Sequence, residues 1–341
     1  MDPISQGALG ALASQNFAKS KQLGVATLLG VVSGMAPDLD VLIRSDTDPL
    51  LALQYHRHFT HSLSFIPIGG LICALLLHWI ARRWGLKFWQ TLLFCTAGFA
   101  THGLLDAFTS YGTLLFWPFN ELRVAWSNIS IIDPLFTVPI VILLITTVIT
   151  SRVRYVRLAT LWVVLYLGAG VVQHQRAEEI GRELAQSRGH TPVRLEVKPS
   201  LGNLVLWKSI YAAQDRFYVD GIRAGLQPEI YPGDSIARLD PNNDFPWLDP
   251  DSQQARDVQR FTWFSDGFVG LHPRYDNRII DMRYSFLPNE VEGLWMIELD
   301  KNRSPTEHVA YQHQHSDPGE KVKLLMDMLL GRRPSKKPAT L

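Results

Sequence analysis

The chain has 341 residues, enough for two domains, and its 33 basic and 32 acidic side chains give a formal net charge of +1. This balance gives no electrostatic indication of nucleic-acid binding. Charged residues make up 19% of the chain, below the ~25% that is usual for soluble proteins. They are also unevenly placed, because several apolar runs lie between Leu63 and Val172, whereas the sequence from Gln173 onward reads like that of a soluble protein.

Five apolar segments are predicted to form membrane-spanning helices, since a bilayer core of ~30 Å requires about 20 apolar residues in a helix. In chain order they are Leu23–Pro37, Leu63–Ala81, Phe88–Leu105, Pro134–Ile149 and Leu158–Val172. The first segment is the weakest candidate and is short enough to be re-entrant or interfacial instead. Its glycines, Gly24, Gly30 and Gly34, predict tight packing against neighbouring helices.

Basic residues in short loops predict the orientation of these spans, because such loops stay in the cytoplasm. The loops at 82–87 and 151–157 each carry three basic residues and no acid, so both are predicted to be cytoplasmic. The intervening loops should then face outward. Lys19 and Lys21 place the N-terminus inside if the first segment spans. An odd fifth span then delivers the residues after Val172 to the outer side of the membrane.

The predicted architecture is an all-α multi-pass membrane domain of about five spans, residues 1–174, followed by a small β-rich extracytoplasmic domain, residues 175–341. The second domain opens with a predicted helix and ends with another. Its predicted helices are Gln175–Ser187 and Glu320–Leu330, and its predicted strands are Leu204–Tyr211, Arg216–Ile222, Phe261–Val269, Arg278–Phe286 and Leu294–Leu299. Tyr231-Pro-Gly-Asp234 is predicted to be a turn. Cys73 and Cys95 lie in apolar runs, which predicts buried free thiols and not a disulfide or a metal pair.

Four short polar motifs fall at the predicted outer ends of the spans. They are Pro37-Asp38-Leu39-Asp40, His56-Arg57-His58-Phe59-Thr60-His61-Ser62, His102-Gly-Leu-Leu-Asp106 and Ile131-Ile132-Asp133-Pro134. Ionisable groups at membrane depth are costly and usually functional. Because the topology brings all four motifs to one face, we expect their side chains to form a single site.

The spacing of these residues suits a shared metal ion. His102 and Asp106 are four apart and share one face of a helix, and Asp38 and Asp40 project to the same side if their segment is extended. A turn or a helix N-terminus brings His56 and His61 inward. Imidazole with carboxylate suits zinc first, and also manganese or iron. Six candidate ligands are more than one tetrahedral zinc ion uses, which favours two metals, or one metal with carboxylates left for proton transfer. The candidate ligands are Asp38, Asp40, His56, His61, His102 and Asp106.

Each motif also has a structural interpretation when taken alone. Asp133 before Pro134 is a natural N-cap for a helix, and a lone histidine in an apolar helix is more often hydrogen-bonded than metal-bound. The chain has no serine-hydrolase elbow, phosphate-binding loop, dinucleotide fingerprint or His-Glu-x-x-His motif. These absences argue against the common serine-hydrolase, nucleotide and zincin mechanisms.

In the order given, the motifs resemble those of the YdjM/YbcI-like family of membrane-bound, metal-dependent hydrolases. The resemblance covers roughly the first 175 residues and includes His102-Gly-Leu-Leu-Asp-Ala-Phe-Thr-Ser-Tyr-Gly112 and Trp117-Pro118. It implies a multi-pass inner-membrane protein with hydrolase activity that depends on a divalent metal, but it supplies no substrate. The order of helix-borne ligands is more distantly similar to zinc-dependent phospholipase C and related nucleases, which makes phosphoester cleavage the first expectation.

The sequence therefore predicts a hydrolase acting on an ester or phosphoester at the outer membrane face, with lipid or lipid-linked substrates. His58 or Asp133 is the expected general base or orienting group, and Arg57 or Arg123 the expected partner of an anionic headgroup. The first alternative is a transporter or metal-handling protein, for which inverted repeats and broken helices would be expected. The second is a non-catalytic membrane scaffold whose β domain binds a partner.

Overall fold

The computed structural model describes residues 1–313 and 318–332, so the end of the predicted second domain, 333–341, lies outside the described residues. The chain forms two compact units. One comprises Met1–Ile43, Tyr55–Val172 and Leu201–Leu204, and the other comprises Arg44–Gln54, Gln173–Ser200 and the chain from Val205 onward. Two short segments, 44–54 and 201–204, thus depart from the predicted division after residue 174.

The first unit is built from helices. They are α1 (Pro3–Asn16), α2 (Leu23–Met35), the short α3 (Leu51–Tyr55, mostly in the other unit), α4 (Ile66–Ala81), α5 (Phe88–Ala107), α6 (Pro134–Thr150) and α7 (Arg154–Ser187). In the described part of the chain, three helical segments are long and apolar enough to cross a membrane, namely Ser20–Leu42, Leu63–Trp84 and Arg154–Ser187. Helix α6 is apolar but shorter, and α5 has 20 residues and pairs with α4. All five predicted segments are helical, whereas their number of crossings and their orientation remain predictions.

Helix α1 was not predicted, and it places Met1 at a different end of the helical unit from the predicted one. Asp2 caps it by accepting hydrogen bonds from the backbone N–H groups of Ile4 and Ser5, at 3.0 and 3.1 Å. The helix then packs against α2, α5 and α6. Met1 consequently lies beside Asp106, whereas the sequence prediction, made without α1, put the first residue at the opposite end from that motif.

Glycines allow α1 and α2 to approach closely. A Cβ atom on Gly10 would lie 2.4 Å from the backbone oxygen of Gly30, and one on Gly34 would lie 2.9 Å from that of Gln6. The predicted tight packing is therefore confirmed for Gly30 and Gly34. It is wrong for Gly24, where an added Cβ would meet nothing within 4 Å.

Helix α7 is a single element of 34 residues. The sequence predicted a span ending at Val172 and a separate helix from Gln175. The structure joins them because the residues between, Gln173 and His174, include neither proline nor glycine to end a helix. The chain passes from the first unit to the second within this helix.

As far as its residues are described, the second unit contains two antiparallel four-stranded sheets. The first runs in the order β1 (Arg194–Pro199), β2 (Leu206–Ala213), β3 (Arg216–Arg223), β4 (Glu229–Ala237), and the second in the order β5 (Val269–Leu271), β6 (Arg278–Asp281), β7 (Trp295–Glu298), β8 (Ala310–His313). Three helices complete the described part of this unit, α8 (Pro241–Asp244), α9 (Gln253–Phe264) and α10 (Pro318–Leu329). The predicted β-rich domain with a C-terminal helix is confirmed.

Two local predictions in this unit are wrong. Residues 261–264, predicted to open a strand, end helix α9, because Ser252 caps that helix and Val258, Phe261 and Phe264 are buried at helical spacing. The predicted turn at Tyr231-Pro-Gly-Asp234 lies inside β4. Proline is tolerated there because β4 is an edge strand.

Both cysteines are buried and free, as predicted.

Candidate metal centre

Three elements carry the predicted ligands. A 3-10 helix, Ala36–Leu42, follows α2 and holds Asp38 and Asp40. A second 3-10 helix, Phe59–His61, ends at His61, and the last turns of α5 carry His102 and Asp106. The segment is a 3-10 helix and not extended, so the condition for Asp38 and Asp40 to project to one side as in a strand is not met, although carboxylate oxygens of both lie within 4.8 Å of one another.

Asp38, His61, His102 and Asp106 form a group that could hold a metal ion, which we call the four-ligand cluster. Asp38 Oδ1 lies 3.4 Å from His61 Nε2 and 3.2 Å from His102 Nε2. Asp106 Oδ2 lies 3.3 Å from His61 Nε2 and 3.6 Å from His102 Nε2. Ligand atoms placed 2.0–2.1 Å from a tetrahedral zinc ion are about 3.3–3.4 Å apart. Four of the six distances between ligand atoms of the cluster therefore match the edges of one tetrahedral site.

Neighbouring groups orient both imidazole rings toward the cluster. The Nδ1 atom of His102 lies 2.6 Å from the backbone oxygen of Gly34 and donates to it, which leaves Nε2 as the ligand atom. The Nδ1 atom of His61 lies 3.0 Å from Thr60 Oγ1 and 3.3 Å from Asp40 Oδ2. A carboxylate behind a histidine in this way is usual for metal-binding histidines.

Burial and charge make the cluster suited to a cation. His61, His102 and Asp106 are at most 2% exposed, whereas the Asp38 side chain is 26% exposed and leaves one side open. Among the described residues, His61 Nε2 and Asp106 Oδ2 have no hydrogen-bond partner. Burial alone would lower the pKa of His61, but the neighbouring carboxylates of Asp106, Asp38 and Asp40 raise it to about 10. The donor set and the two unpartnered atoms fit a divalent metal ion.

Asp40 and His56 form an adjoining group with Asp38, whose ligand atoms also lie close enough to hold an ion. Asp40 Oδ1 lies 2.9 Å from His56 Nδ1, and Asp40 Oδ2 accepts from the Arg57 backbone N–H at 2.9 Å. All six predicted ligands are therefore brought together. Asp38 belongs to both groups, and Asp40 contacts the imidazoles of both His56 and His61.

Arg57 places a positive charge beside Asp106. Its Nε atom lies 3.1 Å from Asp106 Oδ2, and its Nη1 donates to Thr109 Oγ1 at 2.9 Å. The guanidinium groups of Arg57 and Arg123 both lie over the ring of Tyr111, at 4.7 and 5.8 Å. Arg57 is only 4% exposed, so its charge is directed at the carboxylate.

Comparison with known proteins identifies the family of the chain. The family described as "YdjM inner membrane protein" matches residues 1–177, slightly more than half of the chain, and this range includes all residues of both candidate metal-binding groups. The chain belongs to the YdjM inner membrane protein family.

A curated relative of the chain is the inner membrane protein YbcI of Escherichia coli (strain K12). It is 36% identical over 100 residues, which cover 28% of this chain and 54% of the relative. The chain thus matches about half the length of that protein. No solved structure matches the chain. The predicted family is confirmed, and it supports an inner-membrane location.

Two residues of the predicted site make different contacts within this YdjM-family domain. Asp133 caps α6 through the backbone N–H of Phe136 at 3.3 Å and accepts hydrogen bonds from the Tyr166 hydroxyl at 2.8 Å. The His58 ring packs at a tilt against the rings of Tyr55 and Trp117. Among the described residues its buried Nδ1 has no hydrogen-bond partner. Burial, and then the charge of Arg123, lower the pKa of His58, which favours the neutral ring.

The sequence analysis did not single out three further residues that build the candidate site in this YdjM-family domain. Gln6 Nε2, from the unpredicted α1, donates to Asp106 Oδ1 at 2.9 Å, and the Met1 amine contacts the same oxygen. A Cβ atom on Gly103 would lie 2.0 Å from the backbone oxygen of His61, so only glycine lets that segment approach α5. The glycine inside the His102-Gly-Leu-Leu-Asp106 motif was the available signal.

Proposed function

We propose that the protein is a membrane-bound hydrolase that uses one zinc ion held by Asp38, His61, His102 and Asp106. The observation that carries the proposal is the near-tetrahedral spacing of these four ligand atoms, 3.2–3.6 Å along the measured edges. A zinc ion supplies Lewis acidity, which lowers the pKa of water and polarises an ester or phosphoester. Zinc is favoured over manganese or iron because four nitrogen and oxygen donors at this spacing suit a small tetrahedral ion.

The chain's own residues would prepare the site for this chemistry. Arg57 keeps Asp106 anionic, and the Gly34 carbonyl keeps Nε2 of His102 free for the metal. The unpartnered Nδ1 of His58 is the proposed proton acceptor. Arg123, over the Tyr111 ring, is the proposed partner of an anionic group on the substrate. Asp133 is not part of the proposed mechanism and instead caps α6, because its carboxylate accepts hydrogen bonds from the Phe136 backbone N–H and from the Tyr166 hydroxyl.

The proposed substrate is a lipid or a lipid-linked ester. Apolar side chains alternate with the acids of the 3-10 helix, where Leu39 is 64% and Leu42 is 68% exposed. Phe119, in the loop after α5, is 89% exposed. Exposed apolar side chains beside a polar site are typical of contact with a membrane or an apolar ligand.

Replacing Asp106 by Asn tests the proposal, because it removes an anionic ligand with little change in shape. Zinc content of the detergent-purified protein should fall below half of wild type, and any hydrolysis in a phosphodiesterase and lipid-ester screen should be lost. The matched control is Asp266→Asn in the second unit. Asp266 is exposed and adopts a left-handed backbone (φ 51°) that asparagine tolerates.

Size-exclusion chromatography of both variants separates loss of metal from loss of fold. The proposal fails if wild type binds no divalent metal, or if Asp106→Asn binds as much zinc as wild type. Equal zinc with lost activity would recast Asp106 as a proton-transfer group beside the metal.

A further inference from the structure

The segment 44–54 connects two parts of the candidate metal centre along the chain. Asp38 and Asp40 precede it, and His56 and His61 follow it. Its neighbours on both sides, up to Ile43 and from Tyr55, belong to the first unit, whereas the segment itself folds with the β-rich second unit. The two ligand-bearing motifs are thus joined by residues that belong to another compact unit.

Leu50 anchors the segment in the core of the second unit. It is 2% exposed and packs in one cluster with Phe245, Val258 and Phe261, among others. Burial of a leucine side chain in such a cluster is strongly favourable. A segment held only by loose surface contacts would not show this burial.

Arg260 of helix α9 forms a second anchor through charge-assisted hydrogen bonds. Its guanidinium binds both oxygens of Asp48, at 3.0 and 2.9 Å, in the bidentate geometry that makes arginine pairs specific. It also donates to Gln54 Oε1 at 3.1 Å. Asp257 stabilises this arrangement, because its Oδ1 accepts from Arg260 Nη1 at 3.0 Å and its Oδ2 lies 2.8 Å from His308 Nδ1.

These anchors lie close in sequence to the ligands. Gln54 is two residues before His56, and the following backbone N–H, that of Arg57, donates to Asp40. Holding the segment at both Asp48 and Gln54 limits the conformations open to its ends. A metal site requires its ligands to be held in place by supporting contacts, because small displacements weaken binding.

We propose that the β-rich second unit is a positioning element for the metal centre, and that Arg260 is the positioning residue through which it holds the 44–54 segment. The proposal rests on the zinc site of the proposed function. It gives the second unit, which lies largely beyond the part of the chain matched by the family, a role in that site.

The test compares Arg260→Gln with the matched control Arg256→Gln in the full-length, detergent-purified protein. Arg256 lies one turn earlier on α9 and is exposed, and its side chain donates to Gln253 Oε1 and to the backbone oxygen of Asp251. Hydrogen exchange of the peptides covering 36–43 and 55–62 is measured without metal. Arg260→Gln should speed exchange there by about tenfold, because local opening becomes easier. Arg256→Gln should leave it unchanged.

A zinc competition assay gives the second measurement. Arg260→Gln should weaken zinc binding by about tenfold or more, as loss of a supporting contact typically does, while binding the same number of ions at saturation. Arg260→Lys should restore only part of the affinity, since lysine cannot form the bidentate pair. Asp48→Asn should have the same effect as Arg260→Gln, and the double variant should be no weaker than either.

The two assays separate the positioning role from the zinc site itself. Unchanged exchange in both peptides overturns the positioning role, whether or not zinc binds. If Arg260→Gln speeds exchange but the wild-type protein binds no zinc, the proposed function is overturned, whereas the role of Arg260 in holding the 44–54 segment stands. A lower melting temperature with normal exchange and normal zinc affinity would make Arg260 merely structural, which also overturns the inference. If Arg260→Gln does not fold, Asp48→Asn provides the same readouts.

Discussion

Replacing Asp40 by Asn separates an orienting role for this carboxylate from direct metal binding. Asp40 Oδ2 faces Nδ1 of His61 at 3.3 Å, on the opposite side of the ring from the four-ligand cluster. Its other oxygen lies 2.9 Å from His56 Nδ1. We therefore expect Asp40 to act as the outer partner of a metal-binding histidine. Asparagine keeps one acceptor oxygen but removes the negative charge and the second acceptor.

Loss of such an outer partner weakens metal binding by about 10–100-fold, or about 1.4–2.7 kcal/mol at about 1.36 kcal/mol for each tenfold change. Calorimetric titration of the detergent-purified protein with zinc gives both the affinity and the number of ions bound. The expected result is a weaker site with unchanged stoichiometry. Asp46→Asn is the control, because Asp46 is exposed and only six residues away.

Two outcomes would contradict this reasoning. If Asp40→Asn removes a whole ion at saturating zinc, Asp40 is a ligand of a second ion together with Asp38 and His56, as the sequence alone allowed. If the affinity equals that of wild type, Asp40 does not orient His61.

Two other predictions concern the helical unit. Gly30→Ala should lower the yield of folded protein, because the added Cβ would lie 2.4 Å from a backbone oxygen. Gly24→Ala should not lower it, because nothing lies within 4 Å of a Cβ at that position. Equal yields of the two variants in detergent would contradict the close packing of α1 and α2. Reporter fusions at 82–87 and 152–157 should read cytoplasmic and a fusion at Asn120 extracytoplasmic, and the opposite reading at Asn120 would invert the proposed orientation.

Patterns that depend on one helix were predictable from the sequence. His102 and Asp106 are four apart in a long apolar run, and the structure places both at the end of α5 facing the same cluster. The proximity of the three motifs that carry the candidate ligands also followed, because each lies at the end of an apolar segment, whereas Asp133 of the fourth motif caps α6. These inferences needed only helical periodicity and hydropathy.

Features that depend on contacts between distant segments were not predictable. Helix α1 is buried although its sequence, PISQGALGALASQN, has no apolar periodicity, since small residues allow it to pack closely on α2. The positions of Asp38 and Asp40 depend on a 3-10 helix that the motif Pro-Asp-Leu-Asp does not specify. Strand β4 contains a Pro-Gly pair, and only its position at the sheet edge permits it.

The absence of a side chain at Gly103 has a consequence for protein engineering. A design that transplants the four candidate ligands onto another helical scaffold would have to keep a glycine directly after the histidine that corresponds to His102. The incoming segment brings its backbone, and not only its imidazole, against the helix at that point. A design that copied the candidate ligand atoms but placed alanine at the position of Gly103 would displace the backbone at His61. The His61 imidazole would then lie too far from the other ligand atoms to share an ion with them.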